Sequence, residues 1–305
     1  MKIKVSAPGK LMLFGEHAVV YNRPCIVTAV SARLYVELES TWGRFKIDAP
    51  QAKDFRFVEE AVSVFKKKYK ISNGFSIKTS SDFSSQYGFG SSSAVTVAVL
   101  VALANSYRID LLPKEIFNLG YQVTLNIQGV GSGFDIVAAV YGGTIYFITG
   151  GKVIQPLKIE SLPLVIGYSG IKADTPAMIK NLKLKMKNEK LQSKIENVFN
   201  LIEKIVNEAR IALTAGNWRK VGKLMNKNHH LLQQLGVSTK KLDQMCQAAV
   251  GAGAYGAKLS GAGGGDCIIA LTPIEKREAV EKAIVKVGGQ IIKVNTNAMG
   301  VKLEK

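Results

Sequence analysis

A glycine- and serine-rich segment over residues 86–94 combines groups that can bind an anion. Gly88 and Gly90 precede three consecutive serines and an apolar stretch typical of a helix. Glycines let the backbone approach a ligand closely, and a helix start offers unpaired N–H groups to a negative charge. Because serine hydroxyls bond phosphate oxygens or reach a nucleotide-bound Mg²⁺, the segment favours phosphate binding over a turn that only joins strand to helix. It lacks the Gly-Lys-Ser/Thr ending of a P-loop.

A second glycine-rich segment covers residues 258–267 and has four glycines in the five positions 261–265. Ordering so many glycines costs considerable chain entropy. A tight, closely packed turn is one explanation, and passage of the backbone beside a phosphate or a substrate is the other. Two such segments in one chain favour an enzyme that handles phosphate.

Residues 8–17 place Lys10, Glu16 and His17 around two glycines and an apolar stretch. We expect these polar groups to converge at one end of a buried element. The other two histidines, His229 and His230, are adjacent on a predicted helix without the third ligand that a metal site needs, so we interpret them as structural or exposed.

Asp135 follows a flexible stretch, residues 129–133, in which glycine alternates with other residues. It stands at the expected start of a helix, where capping is one role for a carboxylate and the helix dipole favours its ionised form. With Lys10 beside it, Asp135 could instead orient and deprotonate a hydroxyl for attack on a γ-phosphate.

The hydrophobic pattern predicts an α+β protein with a sheet-rich first domain, residues 1–160. The glycine segments there alternate with expected strands and helices. These are strands near 31–39, 75–79 and 144–148 and helices over 93–104, 113–127 and 135–141.

The second predicted domain, residues 161–305, has a helical pattern over 176–250. We expect breaks at 216–217 and around 236–238, with Ser238 as a helix cap. Strands near 290–294 and 300–303 are expected to close this domain.

The composition is that of a globular chain of 305 residues, 47% hydrophobic, with a formal net charge of +18. Three scattered cysteines exclude a disulfide framework and favour a cytoplasmic location. No export signal is visible, and no apolar run approaches the roughly 20 residues that cross a bilayer. We therefore expect no membrane association.

The positive charge should attract anions, which include nucleic acid and phosphorylated metabolites. Six lysines between residues 180 and 194 could form a basic face, but no aromatic residue lies between Tyr168 and Phe199 to stack on bases. We therefore predict a small-molecule substrate and no nucleic acid partner. Whether the chain forms a homodimer is left open.

Taken together, the three motifs resemble those of the GHMP kinases, the family of galactokinase, homoserine kinase, mevalonate kinase and phosphomevalonate kinase. The resemblance spans nearly the whole chain, with motifs at residues 8–17, 88–94 and 258–265 in the family's order. Residues 10–21 are similar to the mevalonate kinase branch and include its Glu-His pair. This similarity leads us to favour mevalonate as the acceptor. Residues 87–92, 131–135 and 260–267 look like the phosphomevalonate kinase branch, which is the alternative.

The resemblance implies a first domain like ribosomal protein S5 and a ferredoxin-like second domain, with ATP and substrate held between them. Matched positions would make Asp135 the catalytic aspartate and Lys10 the lysine beside it, which would also contact ATP. Glu16 and His17 would bind the acceptor, mevalonate or 5-phosphomevalonate.

The resemblance likewise implies ATP and Mg²⁺ as cofactors. Ser92 would be the hydroxyl ligand of Mg²⁺, and Ser81 would lie along the nucleotide channel. The loop around the ATP phosphates would comprise Gln86, Tyr87, Gly88, Phe89, Gly90, Ser91 and Ser92. The third-motif loop near substrate and phosphate would comprise Gly261, Gly263, Gly264 and Gly265.

One position departs from the mevalonate kinase pattern. Thr124 stands where these kinases usually carry a glutamate as second Mg²⁺ ligand, eleven positions before the catalytic aspartate. A hydroxyl is a poorer ligand for a hard dication than a carboxylate. The second metal ligand is therefore left open.

Overall fold

A computed structural model describes residues 2–41, 45–48, 54–71 and 74–304. Its strands are β1 (Lys2–Phe14), β2 (Pro24–Thr41), β3 (Lys46–Asp48), β4 (Gly74–Ser81), β5 (Thr144–Ile148), β6 (Val153–Leu157), β7 (Leu164–Tyr168), β8 (Gly256–Ser260), β9 (Cys267–Leu271), β10 (Gln290–Ile292) and β11 (Lys302–Leu303). Its helices are α1 (Arg56–Tyr69), α2 (Ser91–Ser106), α3 (Pro113–Gln128), α4 (Phe134–Tyr141), α5 (Thr175–Lys185), α6 (Glu189–Thr214), α7 (Trp218–Leu235), α8 (Lys240–Gly251) and α9 (Arg277–Lys286).

The first sheet is built on the long antiparallel pair β1 and β2. In the described residues it has seven strands in the order β11-β1-β2-β4-β3, and β2 also pairs with β5, which pairs with β6. The register of β1 against β2 shifts between Pro8 and Gly9 and again between Met12 and Phe14. Such bulges bend a strand and redirect its side chains, here on both sides of Lys10.

Helix α2 forms the core beneath this sheet. Ala, Val and Leu occupy all of its faces, as expected for a helix buried all round. It packs on β1 and β2 and also touches α1, α3 and α4. The buried helix therefore holds its own N-terminus, the end of the first glycine segment, in a fixed place beside β1.

The second sheet is antiparallel, with the order β10-β7-β9-β8. Helices α7 and α8 pack against β8, and α9 packs against β7 and β10. The α+β architecture in two units is as predicted. The predicted boundary after residue 160 falls between β6 and β7, and a division at that point stays a prediction.

Most helix limits agree with the sequence pattern, but the second unit differs in detail. The helical stretch has an additional break at 186–188, after which Asn188 caps α6. Thr239, rather than Ser238, accepts the capping bond at the start of α8, from the N–H of Leu242. The hydroxyl of Ser238 instead donates to Asp243.

The prediction that strand 300–303 closes the second unit is wrong, because β11 pairs with β1 of the first sheet. The buried guanidinium of Arg33 provides the reason. Its nitrogens donate to the hydroxyl of Ser6 at 2.6 Å and to the carbonyls of Met299 and Gly300 at 2.8 and 2.7 Å. The chain end is therefore fastened to the first sheet by a cation from β2.

Candidate active site

A cavity of about 240 Å³ opens between the two sheets. Its walls come from β1, the N-termini of α2 and α4, the segment after β7, and the loop between β8 and β9. Side chains or backbone of nine residues named by the motifs line it: Lys10, Glu16, His17, Gly88, Gly90, Ser91, Ser92, Asp135 and Gly261. The structure thus brings the three sequence motifs to one place.

Lys10 connects three of these walls. Its ammonium nitrogen lies 3.0 Å from Oδ1 of Asp135 and donates to the carbonyl of Gly88 at 2.9 Å. It also lies 5.1 Å from the ring centroid of Phe134, within cation–π range. Its backbone N–H donates to the carbonyl of Phe89 at 2.9 Å. The lysine is therefore held in place before any ligand arrives.

Asp135 lies in the first turn of α4 and keeps 32% of its side chain exposed. Gly133 occupies the N-cap position, and no side chain caps this helix. Capping therefore does not explain the carboxylate. The geometry presents an ionisable group, paired with an ammonium, to the cavity.

The first glycine segment forms a cradle at the start of α2. Gly88 and Gly90 have φ of 72° and 76°, the left-handed region that favours glycine. A Cβ on Gly90 would lie 3.1 Å from Cε of Lys10 and 3.4 Å from Oδ1 of Asp135. The N–H groups of Ser91 and Ser92 belong to the first turn, which leaves its donors free for an anion.

Four of the residues predicted to contact ATP are not part of the cavity wall: Ser81, Gln86, Tyr87 and Phe89. The ring of Phe89 is buried and packs edge-on against Tyr87. The hydroxyl of Ser81 donates to the carbonyl of Phe83 at 2.8 Å. Contact of these four residues with a nucleotide stays a prediction.

His17 is oriented by the third-motif loop. Its Nε2 lies 2.8 Å from the carbonyl of Ala262, which can only accept, so Nε2 carries the proton. Burial lowers the pKa of His17, and the carbonyl opposes this only in part. The ring is then neutral, and Nδ1 is left as a hydrogen-bond acceptor.

Glu16 borders the cavity, but its carboxylate is enclosed. It forms an ion pair with Lys258 in which neither side chain has exposed area. Burial raises the pKa of Glu16 and lowers that of Lys258, and each partner opposes the effect on the other. Direct contact of Glu16 with an acceptor stays a prediction, and Lys258 is a residue that sequence reasoning missed.

The glycines of the third motif divide between two roles. A Cβ on Gly263 would lie 2.0 Å from the carbonyl oxygen of Val237, and one on Gly265 would lie 2.5 Å from that of Ile171. These two glycines are explained by packing. Gly261, with φ of 106°, lines the cavity and has no atom within 4 Å of such a Cβ.

Lys172 is a second cavity lysine that the sequence did not indicate. It lies after β7, is half exposed, and donates to the carbonyl of Ser85 at 2.8 Å. Its ammonium lies 3.7 Å from Oδ1 of Asp266, a buried carboxylate that also accepts from the N–H of Ala173. The only sequence signal was its position after a buried strand, which many lysines share.

The donor set can be tested against Mg²⁺. Ser92, Thr124 and Asp135 line the same cavity, and the hydroxyl of Thr124 donates to the carbonyl of Gly120 at 3.1 Å. The Thr124 oxygen therefore keeps lone pairs for a ligand. The described residues contain no group of three His, Cys, Asp or Glu that could hold a metal. The Asp135 carboxylate with the Ser92 and Thr124 hydroxyls fits a Mg²⁺ that binds together with the nucleotide phosphates. Mg²⁺ usually takes most of its ligands from water and substrate.

No helix within the described ranges is long and apolar enough to cross a membrane.

Among the cysteines, burial raises the pKa of Cys246 and Cys267, so neither thiol is set up as a nucleophile.

Comparisons with known proteins show which family this chain resembles. Residues 56–143 match the family described as GHMP kinases N terminal domain, and residues 209–290 match GHMP kinases C terminal. A protein of Thermococcus sibiricus named mevalonate kinase is 34% identical, covering 100% of this chain and 99% of the relative.

Two solved structures extend the comparison. A crystal structure of L. major mevalonate kinase in complex with R-mevalonate has a TM-score of 0.82 and 27% identity, covering 97% of this chain and 96% of that one. A crystal structure of Streptococcus pneumoniae phosphomevalonate kinase has a TM-score of 0.85 and 20% identity, covering 97% and 99%. The second likeness is one of fold alone.

Proposed function

The chain belongs to the GHMP kinase family, and we propose that it is an ATP-dependent mevalonate kinase that phosphorylates the 5-hydroxyl of mevalonate. Kinases of this family use ATP as the phosphate donor, and the product is an isoprenoid precursor. The observation that carries the proposal is the Lys10–Asp135 pair, 3.0 Å apart, beside the N-terminus of α2. The full-length likeness to relatives named mevalonate kinase supports the choice of acceptor.

Asp135 and Lys10 divide the chemical step between them. Asp135 takes the proton of the acceptor hydroxyl, and the hydroxyl oxygen bonds to the γ-phosphorus of ATP. The bond between the γ-phosphorus and the oxygen that bridges it to the β-phosphate breaks, which releases ADP. Lys10 offsets the negative charge that develops on the transferred group. A magnesium ion, held by Ser92, Thr124 and Asp135, would neutralise phosphate charge.

Lys172 is the residue that we assign to the acceptor carboxylate. The described residues that line the cavity include two lysines, Lys10 and Lys172, and no arginine. Lys10 is paired with Asp135, and His17 is neutral. Because an enclosed carboxylate needs a cationic partner, Lys172 is the one remaining candidate in this wall. Nδ1 of His17 can accept from an acceptor hydroxyl.

Phosphomevalonate is the alternative acceptor, and the motifs at residues 87–92, 131–135 and 260–267 favour it. A phosphate group would bring further negative charge into a cavity where Lys10 is paired with Asp135, and Lys172, whose nearest carboxylate is 3.7 Å away, is the other lysine. This charge balance favours mevalonate.

A cytoplasmic location, a homodimer and the domain boundary stay predictions.

The proposal is tested by initial-rate ADP release with Mg-ATP and mevalonate, 5-phosphomevalonate or no acceptor. We expect ADP release to depend on mevalonate and to fall about a thousandfold in Asp135→Asn, because this variant keeps the shape but loses the base. Asp110→Asn, which alters an exposed carboxylate, is the matched control and should retain activity. Release that depends on 5-phosphomevalonate alone, or full activity in Asp135→Asn, would refute the proposal.

A further inference from the structure

Alternate residues of β8 and the loop after it contact the segment that carries Lys10 and His17. Because strand side chains alternate, residues 258 and 260 of β8 point to the same side, and the backbone of 262 continues the contact. The hydroxyl of Ser260 donates to the carbonyl of Met12 at 3.0 Å and accepts from the N–H of Met12 at 3.0 Å. We call the three contacts together the cross-unit clamp: Glu16–Lys258, Met12–Ser260 and His17–Ala262.

The ion pair is the charged member of the clamp, and further contacts immobilise it. The ammonium of Lys258 also donates to the carbonyl of Leu259 at 2.6 Å. The second carboxylate oxygen of Glu16 accepts from the side-chain amide of Asn228 at 3.4 Å. These contacts join the turn after β1 to β8 and to α7 without any exposure of the two charges.

Stability alone does not explain such a pair. Desolvation of two charges offsets much of their attraction, and well-packed apolar residues are often as stable in their place. Directional contacts, by contrast, fix one arrangement of the chain. His17, which directly follows Glu16, and residues 261–262, three and four positions after Lys258, border the cavity.

We propose that Lys258 is a positioning residue for the acceptor: by holding Glu16, it fixes His17 against Ala262 and so sets the shape of the acceptor end of the cavity. Lys258 cannot touch a substrate, since its side chain has no exposed area. The inference deepens the proposed function and depends on it only for the identity of the acceptor.

The nucleotide end of the cavity is held by other contacts. The loop at 85–90 is fastened by Lys10 to Gly88 and by Lys172 to Ser85. Loosening the clamp should therefore change acceptor use more than ATP use. A small misplacement of a binding group can cost one or two orders of magnitude in rate, so we expect a loss of about tenfold in kcat/KM for the acceptor.

The experiment is a double-mutant cycle of Lys258→Met, Glu16→Gln and the double variant. We expect each single variant to lose about tenfold in acceptor kcat/KM, with the KM for ATP changed less than about twofold. The double variant should lose no more than the worse single variant, because the two residues act as one unit. It also carries no unpaired buried charge, so it remains testable if Lys258→Met fails to fold.

Arg33→Lys is the control, since it weakens another buried cation, one that does not line the cavity and whose partners are Ser6, Met299 and Gly300. It should lower the melting temperature without changing acceptor kcat/KM. A second readout does not need activity: hydrogen exchange of residues 261–266 should quicken in the clamp variants and stay unchanged in Arg33→Lys.

Unchanged acceptor kinetics together with unchanged exchange in the double variant would overturn the inference, and so would equal losses in Arg33→Lys. If the wild-type protein used another acceptor, the proposed function would fail, but the same cycle and the exchange measurement would still decide the role of Lys258.

Discussion

Lys10 and Lys172 both present an ammonium group to the cavity, but they have different partners. Lys10 is enclosed by Asp135, Gly88 and the ring of Phe134. Lys172 is half exposed, and its nearest carboxylate, that of Asp266, is 3.7 Å away and already accepts a backbone N–H. The first lysine is thus committed before substrate binds, whereas the second can still gain a partner.

Replacing Lys172 by Gln should raise the KM for mevalonate about tenfold, because a charge-assisted hydrogen bond is worth about 1.5 kcal/mol at a partly exposed site. Lys172→Arg keeps the charge and should lose less. Steady-state kinetics with each substrate varied in turn measures both variants. If the KM for ATP rises while that for mevalonate is unchanged, Lys172 serves the phosphate loop and not the acceptor.

At the scale of elements, the first glycine segment has a fixed shape because residues of both units pack against it. A Cβ on Gly88 would lie 2.3 Å from Oδ2 of Asp266, and the φ of Gly88 is 72°. The sulfur of Cys267 lies 3.3 Å from the carbonyl of Tyr87. The loop is therefore packed between its own sheet and β9, which begins at Cys267.

Gly88→Ala should weaken ATP binding, because the added methyl must displace either Asp266 or the loop. We expect a rise in the KM for ATP of about tenfold or more, together with a loss of stability beyond the roughly 1 kcal/mol that a positive φ costs an alanine. Gly216→Ala is the matched control, since Gly216 has φ of 65° with no atom within 4 Å of a Cβ. Gly216→Ala should lose only the roughly 1 kcal/mol that the positive φ costs and should keep the wild-type KM for ATP. Equal kinetics in the two variants would show that Gly88 is needed only for its backbone angle.

Local patterns predicted the elements that carry the site. The helices expected over 113–127, 93–104 and 135–141 begin at Pro113, Ser91 and Phe134 in the structure. Each of these signals lies within a few residues of the feature it predicts. The resemblance to the GHMP kinases then implied that Lys10 and Asp135 lie side by side.

The residues that sequence reasoning missed depend on contacts far apart in the chain. Lys258 is one of 41 basic residues and is distinguished only by Glu16, 242 positions away. Strand β11 has two residues, too few for a pattern that could indicate its partner, and Arg33 collects carbonyls that come close only after folding. The hydrophobic pattern records burial, but it does not record which buried charges meet.

At the scale of the whole molecule, buried histidines link stability to pH in both units. His229 on α7 accepts the N–H of Leu259 at Nδ1, 3.4 Å away, and its Nε2 lies 3.0 Å from Oδ1 of Asp243. Protonation would place a second donor against the Leu259 N–H. Burial lowers the pKa of His229, as it does that of His17, and Asp243 opposes the effect only in part.

The free energy of unfolding should therefore fall as the pH drops below about 6.5, the ordinary histidine pKa. Below this pH the histidines of the unfolded chain bind protons, whereas those of the native protein stay neutral until the pH reaches their lower native pKa values. Each histidine contributes a slope of at most about 1.4 kcal/mol per pH unit. Glu16 acts with the opposite sign at lower pH, because burial raises its pKa.

Comparison of variants isolates the histidine contribution, since Glu16 is common to all of them. Denaturant unfolding of His229→Gln between pH 7.5 and 5.5 should show a shallower fall in stability than the wild-type protein, whatever its stability at pH 7.5. His230→Gln removes the exposed neighbour on the same helix and should keep the wild-type slope. Parallel curves for His229→Gln and wild type would mean that His229 is protonated as readily in the native protein as in the unfolded chain, and that burial and the contact with Leu259 do not exclude the proton.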